Sequence, residues 1–171
     1  MNIRKLHKND FTEYKRIKLE SLKEEPIAFD SSYEELKIWN EEKWQSIFSD
    51  FLNEDECIFY LAEEDNQVVA FAYIELIKKT KKNHIASFPT MYVNNDYRSQ
   101  GIASMLLEKL IDEIRHNFKQ IIKIQLSVYA PQKAAINLYK KFGFEIFGEF
   151  KKELQYQDKF YDQIAMELFL H

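Results

Sequence analysis

A single cysteine, Cys57, excludes an internal disulfide and cannot by itself build a thiolate zinc site. Its setting, Cys57-Ile58-Phe59-Tyr60-Leu61-Ala62, suits a small core residue. Glycine is nearly as scarce, with Gly101, Gly143 and Gly148 the only three in 171 residues. That spacing cannot form the G-x-G-x-x-G turn of a dinucleotide fold, and no Gly-Lys-Ser/Thr is present for a P-loop. With three prolines, no Gly/Ser-rich stretch and no internal repeat, no linker is visible, so residues 1–171 are expected to form one domain. Basic charge is also short, 24 Lys and Arg against 28 Asp and Glu for a net charge of −4, so a dedicated nucleic-acid binder is not expected. The longest apolar run, residues 68–74, is far below the roughly 20 residues that span a bilayer. No apolar segment follows the basic residues near Met1, so no secretory leader is read and a cytoplasmic location is expected.

Core-forming side chains are plentiful. Apolar residues make up 46% of the chain and aromatics 15%, including 14 Phe and 10 Tyr, well away from the composition of disordered chains. Residues 2–6 alternate like a strand, Asn9-Asp10 caps a helix reaching about residue 25, and Pro26 stops it. A second helix is expected over 32–52, opened by Ser31-Ser32 with Glu34 and Glu35 at the positive end of its dipole. The period then changes: 57–63 and 68–77 read as a hairpin around 64–67, and a further strand ends at Met91-Tyr92-Val93. Helical spacing returns over 101–118, strict alternation over 122–128, and a helix with Pro131 near its start ends at Gly143. Strands near 144–153 and 160–170 close the chain. The expected fold class is mixed α/β, a sheet of about seven strands with about four helices on both faces.

Gly101 stands where a strand gives way to a helix, in Asp96-Tyr97-Arg98-Ser99-Gln100-Gly101-Ile102-Ala103-Ser104. A turn of small residues entering a helix leaves N–H groups unpaired beside the positive dipole end, which suits a phosphate or pyrophosphate. The same residues also fit an ordinary strand-to-helix connection, and taken alone they leave both readings open.

The run Met91-Tyr92-Val93-Asn94-Asn95-Asp96-Tyr97-Arg98-Ser99-Gln100-Gly101-Ile102-Ala103 resembles the strand, turn and R-x-x-G-x-G/A acyl-CoA loop of the GNAT superfamily of acetyl-CoA-dependent N-acetyltransferases. Ala134-Ala135-Ile136-Asn137-Leu138-Tyr139-Lys140-Lys141-Phe142-Gly143-Phe144 is similar to the family's A-x-x-L-Y-x-x-x-G-F block, in the expected order. The closing hairpin resembles that of the ribosomal-protein and small-amine acetyltransferases. The resemblance implies a partly splayed sheet and acetyl-CoA as co-substrate. It places the pyrophosphate on Arg98, Ser99, Gln100, Gly101, Ile102, Ala103 and Ser104, mostly through backbone N–H groups. It pairs Met91, Tyr92 and Val93 with the pantetheine arm, and it makes Tyr139 the proton donor to the departing thiolate. Where many members carry Asn seven residues before that tyrosine, this chain has Gln132, and Asn137 is the alternative contact.

Acetyl transfer to a primary amine needs a base or a desolvating site, because an amine with pKa near 10.4 is mostly charged at neutral pH. The family often places a Glu on the strand before the loop, yet here residues 84–90 contain no acid. Glu34, Glu35 and Glu75 are the candidates, and each also fits a bland role, the first two as helix-dipole partners and the third as a sheet-edge residue. Tyr139 likewise fits a core aromatic at helical spacing with Ala135 and Phe142. His7, His84, His116 and His171 are too scattered to suggest a metal site, and the lysines of 78–82 read as a solvated turn. The expected activity is acetyl transfer to an amine acceptor, a small molecule, polyamine or protein N-terminus, by direct attack in a ternary complex. The alternative is a non-catalytic acyl-CoA-binding module of the same fold. Family analogy implies a possible homodimer.

Overall fold

A computed structural model describes residues 1–170. The strands are β1 (Asn2–Lys5), β2 (Cys57–Glu64), β3 (Gln67–Leu76), β4 (Ile85–Val93), β5 (Lys123–Tyr129), β6 (Glu145–Tyr156) and β7 (Lys159–Phe169). The helices are α1 (Phe11–Glu24), α2 (Tyr33–Lys37), α3 (Glu41–Phe51), α4 (Ile102–Asn117) and α5 (Lys133–Lys141). One seven-stranded sheet runs in the order β1-β2-β3-β4-β5-β7-β6. All neighbours are antiparallel except β4 and β5, which are parallel and paired only through residues 85–87 and 123–125. From Phe88 and Leu126 onward the two strands part, while β5 stays paired to β7 along its length. The sheet therefore opens in the middle as a V whose inner edges carry unpaired backbone groups.

Alternation along β3 explains why both faces are covered. Ala70, Ala72 and Ile74 meet the apolar stripe of α4, including Leu106, Leu110 and Ile114, whereas Phe71 and Tyr73 meet Tyr14 and Ile17 of α1 and Trp44 and Phe48 of α3. The β3–β4 register slips between Tyr73 and Glu75, a bulge beside the point where β4 leaves β5.

The expected helix over 32–52 is two helices, which brings the total to five. Ser32 opens α2 with a capping box, accepting from the Glu35 N–H at 3.2 Å. Asn40 then caps α3 by accepting from the Lys43 N–H at 2.9 Å, an interaction that takes the backbone out of the helical path. The break lets Trp39 fold back onto Trp44, with ring centroids 5.2 Å apart. Gly143 sits at φ +90° just past α5, as a helix stop requires, and Gly148 lies at a register shift between β6 and β7. Both hairpin tips, Asp65-Asn66 and Gln157-Asp158, adopt positive φ, the conformation that matches a tight turn to strand twist. Cys57 is buried in β2, and burial pushes its thiol up to about 12, so it stays a protonated core group.

Arg4 ties β1 to its surroundings. Its guanidinium holds both Asp10 oxygens at 2.7 Å and Glu63 at 2.9 Å, while the His7 N–H donates to Asp10 at 2.6 Å. Desolvation pushes the Asp10 carboxyl up, but Arg4 and the His7 N–H outweigh it and hold it below the usual range; the Arg4 hydrogen bond lowers Glu63 as well. Folded values below unfolded ones stabilise the protein above the ordinary carboxylate pKa and lose that contribution as pH falls through the folded values. Asp10→Asn is expected to cost about 1–3 kcal/mol at pH 7 in denaturant titration and less near pH 3, below the ordinary aspartate value. An equal cost at both pH values would refute the ionic account.

Candidate active site

The V between β4 and β5 holds two cavities. The first, about 410 Å³, is lined by Met91, Tyr92 and Val93 along the open edge of β4 and by Arg98, Ser99, Gly101, Ile102, Ala103 and Ser104 at the entry to α4. Gln132 and Leu138 face them from the α5 side. Ser99 (φ +62°) and Gly101 (φ +84°) both take the left-handed conformation, which turns the chain sharply into α4. The Met105 N–H reaches the Gly101 carbonyl at 3.0 Å, whereas the N–H groups of Ile102, Ala103 and Ser104 have no backbone partner among the described residues. No side chain caps this helix, and nothing lies within 4 Å of where a Gly101 Cβ would stand. The result is an open cradle of donors at the positive end of a 16-residue helix, a geometry suited to a diphosphate.

Arg98 does other work than a free phosphate ligand. Its Nε donates to the Val93 carbonyl at 2.9 Å and its Nη1 to Glu25 at 2.6 Å, so the guanidinium fixes the shape of the loop. The end of α1 is bound to this region by further contacts. The Tyr92 hydroxyl donates to Glu24 at 2.6 Å and stands 3.1 Å from a Glu20 oxygen, and Gln132 Nε2 donates to Glu25 at 3.3 Å. Burial and these two carboxylates raise the Tyr92 pKa, keeping the phenol a donor. The Tyr92 side chain thus serves the α1 face. Gln100 does not line the cavity; its amide donates to the Asp96 carbonyl at 3.4 Å.

The second cavity, about 420 Å³, lies on the α1 side of the V between β4, β5 and the β6–β7 hairpin. Ser87, Phe88 and Pro89 contribute from β4, Gln125, Ser127 and Tyr129 from β5, and Phe147, Phe150 and Gln163 from the hairpin. Ala28, in the loop after α1, lines both cavities, so the two meet there. Asp30 from the same loop is the acid in this lining, and its Oδ1 accepts from the Tyr129 hydroxyl at 2.5 Å. Burial first, and then Asp30, raise the Tyr129 pKa, so that phenol too holds its proton. Lys18 faces Asp30 from beneath the loop, its Nζ 4.4 Å from the Phe29 ring centre, and burial lowers its pKa to about 8.

The three acids singled out from the sequence stand elsewhere: Glu35 is exposed in the first turn of α2, where its carboxylate accepts from the Ser32 N–H at 2.6 Å, and lines neither cavity. Glu34 is on the exposed side of α2, paired with Lys37, and lines neither cavity. Glu75 is exposed near the end of β3, opposite Cys57 and Ser87; desolvation raises its pKa, but it too lines neither cavity. Asn137 points outward from α5, so of the pair weighed as contacts only Gln132 faces the first cavity. Tyr139 is buried with its ring edge-on to Phe88 at 5.8 Å and beside Phe144 at 5.8 Å. It lines neither cavity directly and meets the second through Phe88. Of the histidines, His7 caps the turn before α1 and His116 Nδ1 lies 2.7 Å from the Asp112 carbonyl, while His171 lies outside the described residues. Among the described residues no helix is long and apolar enough to cross a membrane, and no three acidic, His or Cys side chains gather as a metal site.

Sequence reasoning missed Asp30, Tyr129 and Glu25. Tyr129 carried a readable signal as the last residue of an alternating strand. Asp30 and Glu25 looked only like the polar surroundings of a helix end, because their partners lie 99 and 73 residues away.

The site lies where a mixed α/β sheet opens between two parallel strands, with a donor cradle at the start of α4. Residues 18–144 match the model of the Acetyltransferase (GNAT) family, and the chain belongs to that family. It is 33% identical over 101 residues to the L-amino acid N-acetyltransferase AaaT of Escherichia coli, covering 57% of this chain and 61% of that protein. The chain spans about three-fifths of the length of this and other curated relatives it matches. Among solved structures it superposes on a GNAT-family acetyltransferase from Streptococcus pneumoniae with TM-score 0.86 at 22% identity, covering 99% of each chain. An acetyltransferase from Salmonella typhimurium, solved with its cofactor acetyl-CoA, matches with TM-score 0.82 at 17% identity over 100% of this chain and 94% of that one. Both likenesses speak to the mixed α/β fold.

Proposed function

We propose that this protein is an N-acetyltransferase that moves the acetyl group of acetyl-CoA to a primary amine by direct attack in a ternary complex, in the cytoplasm. One observation carries this reading: the donor cradle at Gly101 and the cavity holding Asp30 and Tyr129 meet at Ala28, inside the open V of the sheet. Acetyl-CoA supplies an activated acyl carbon. The chain's own groups do the rest. The free N–H groups of Ile102, Ala103 and Ser104 bind the diphosphate, and the open edge of β4 at Met91 and Val93 pairs with the amide-bearing arm as an added strand. A main-chain N–H on that edge polarises the thioester carbonyl.

On the other side, the Asp30 carboxylate, oriented by Tyr129, holds the ammonium of the incoming amine. Only the neutral amine has a lone pair to attack, so the bound ammonium first gives one proton to water in the open cleft; once the nitrogen bonds to the carbonyl carbon it turns strongly acidic, and Asp30 or a water it holds takes the second proton. As the C–S bond breaks the sulfur takes up a proton, and the donor in this reading, following the family resemblance, is the Tyr139 hydroxyl, kept neutral by burial behind Phe88 at the edge of the second cavity.

Thiol release from acetyl-CoA across a panel of amines tests this reading, with coenzyme binding followed separately as a rise in melting temperature. Saturable, amine-dependent release is expected. A coenzyme-dependent rise with no release for any amine would favour the non-catalytic module instead.

A further inference from the structure

The side chains around the second cavity carry information about which amine they accept. Among the described residues its lining holds one ionisable acid, Asp30, and no lysine or arginine. The remaining polar groups, Ser87, Gln125, Ser127, Gln163 and the Tyr129 hydroxyl bound to Asp30, are neutral. The walls are apolar: Phe88 and Leu126 form the floor, and Phe147 and Phe150, 52% and 48% exposed, stand at the rim of the β6–β7 hairpin with no protein partner covering them.

The charged groups around this cavity are already committed. Lys18 faces Asp30 but lines a separate aromatic cavity under α1. Lys123 is paired with Glu167 at 2.7 Å, and Lys151 with Glu149 at 2.7 Å and Asp162 at 3.1 Å. Glu153 adds a second negative charge facing Tyr129. We infer that the cleft accepts compact monoamines with an apolar body and rejects the corresponding α-amino acids, whose carboxylate would lie unpaired beside Asp30. This inference rests on the acetyl-transfer reading above and adds the acceptor class to it.

The physical reason is discrimination by an unpaired charge. The ammonium of a monoamine meets the Asp30 carboxylate, and its hydrocarbon covers Phe88, Leu126 and the two rim phenylalanines, removing exposed aromatic surface from water. An α-amino acid brings the same ammonium and body, but its carboxylate finds no cation in the lining and is repelled by Asp30. A polyamine has the opposite mismatch, since Asp30 is the one acid in the lining and Glu153, which faces Tyr129, stands outside it, so a second ammonium would lie against apolar wall.

The test compares kcat/KM for two matched pairs, phenethylamine with L-phenylalanine and 3-methylbutylamine with L-leucine, with spermidine as a third class. Acetyl-CoA binding is measured in parallel by calorimetry. Each monoamine is expected to exceed its amino acid by about 100-fold or more, and spermidine by a clear margin. Equal or better turnover of either amino acid, or of spermidine, would overturn the acceptor class while leaving acetyl transfer standing. No turnover of any of the five with the coenzyme still bound would also overturn it, and would leave the coenzyme cavity intact. Failure to bind acetyl-CoA would bring down the acetyl-transfer reading, and the inference with it.

Discussion

Phenylalanine in place of Tyr139 is expected to lower kcat by about 10²-fold while changing the Kd for acetyl-CoA by less than about twofold. The structure makes this a clean substitution. The ring is wedged between Phe88 and Phe144, both at 5.8 Å, and phenylalanine keeps those contacts. Burial is the cause of its raised pKa, with no protein hydrogen bond contributing, so removing the oxygen strands no partner and the melting temperature is expected to stay nearly constant. The raised pKa also fixes the sign of the pH behaviour: at neutral pH the phenol is protonated and offers an O–H to the sulfur. A group needed only for packing would leave kcat alone. Stopped-flow measurement of thiol release at saturating amine separates the two cases, and an unchanged kcat would return Tyr139 to the role of a core aromatic.

Which parts of this molecule could be read from sequence follows the range of the interactions that make them. The strands and the helices α1, α4 and α5 are written in local periodicity, and so is the loop at Gly101, because a left-handed residue before a helix leaves a mark in one short segment. The single expected helix over 32–52 failed at Asn40, where one side chain captures a backbone N–H that periodicity alone assigns to a continuing helix. The acceptor side was the least legible. Tyr129 and Asp30, or Arg98 and Glu25, become neighbours only after the sheet has formed, and an isolated Asp in a loop carries no mark of a partner 99 residues on. Glu34 and Glu75 drew attention for local reasons, a helix start and an apolar strand, and local reasons explain where both are found.

Valine at Gly101 is expected to weaken acetyl-CoA binding by about 10- to 100-fold, the second large effect. Two costs act together. At φ +84° a β-branched residue is strained by roughly 1–2 kcal/mol or more, and the loop can relieve that only by turning away from its present path. The N–H groups of Ile102, Ala103 and Ser104 ride on that path, so relief of strain misdirects the donors that would hold the diphosphate. The protein itself offers the new side chain no clash, since nothing lies within 4 Å of the Cβ position, so the backbone strain is the cost to folding and the misdirected donors are the cost to binding. Gly101→Asn separates the two costs, because asparagine tolerates the left-handed conformation and its loss of affinity then reports crowding of the cavity alone. Calorimetric titration with acetyl-CoA reads both variants. An affinity for the valine variant equal to that of the parent would mean that the coenzyme does not use this cradle, and the acetyl-transfer reading would lose its footing at the same point.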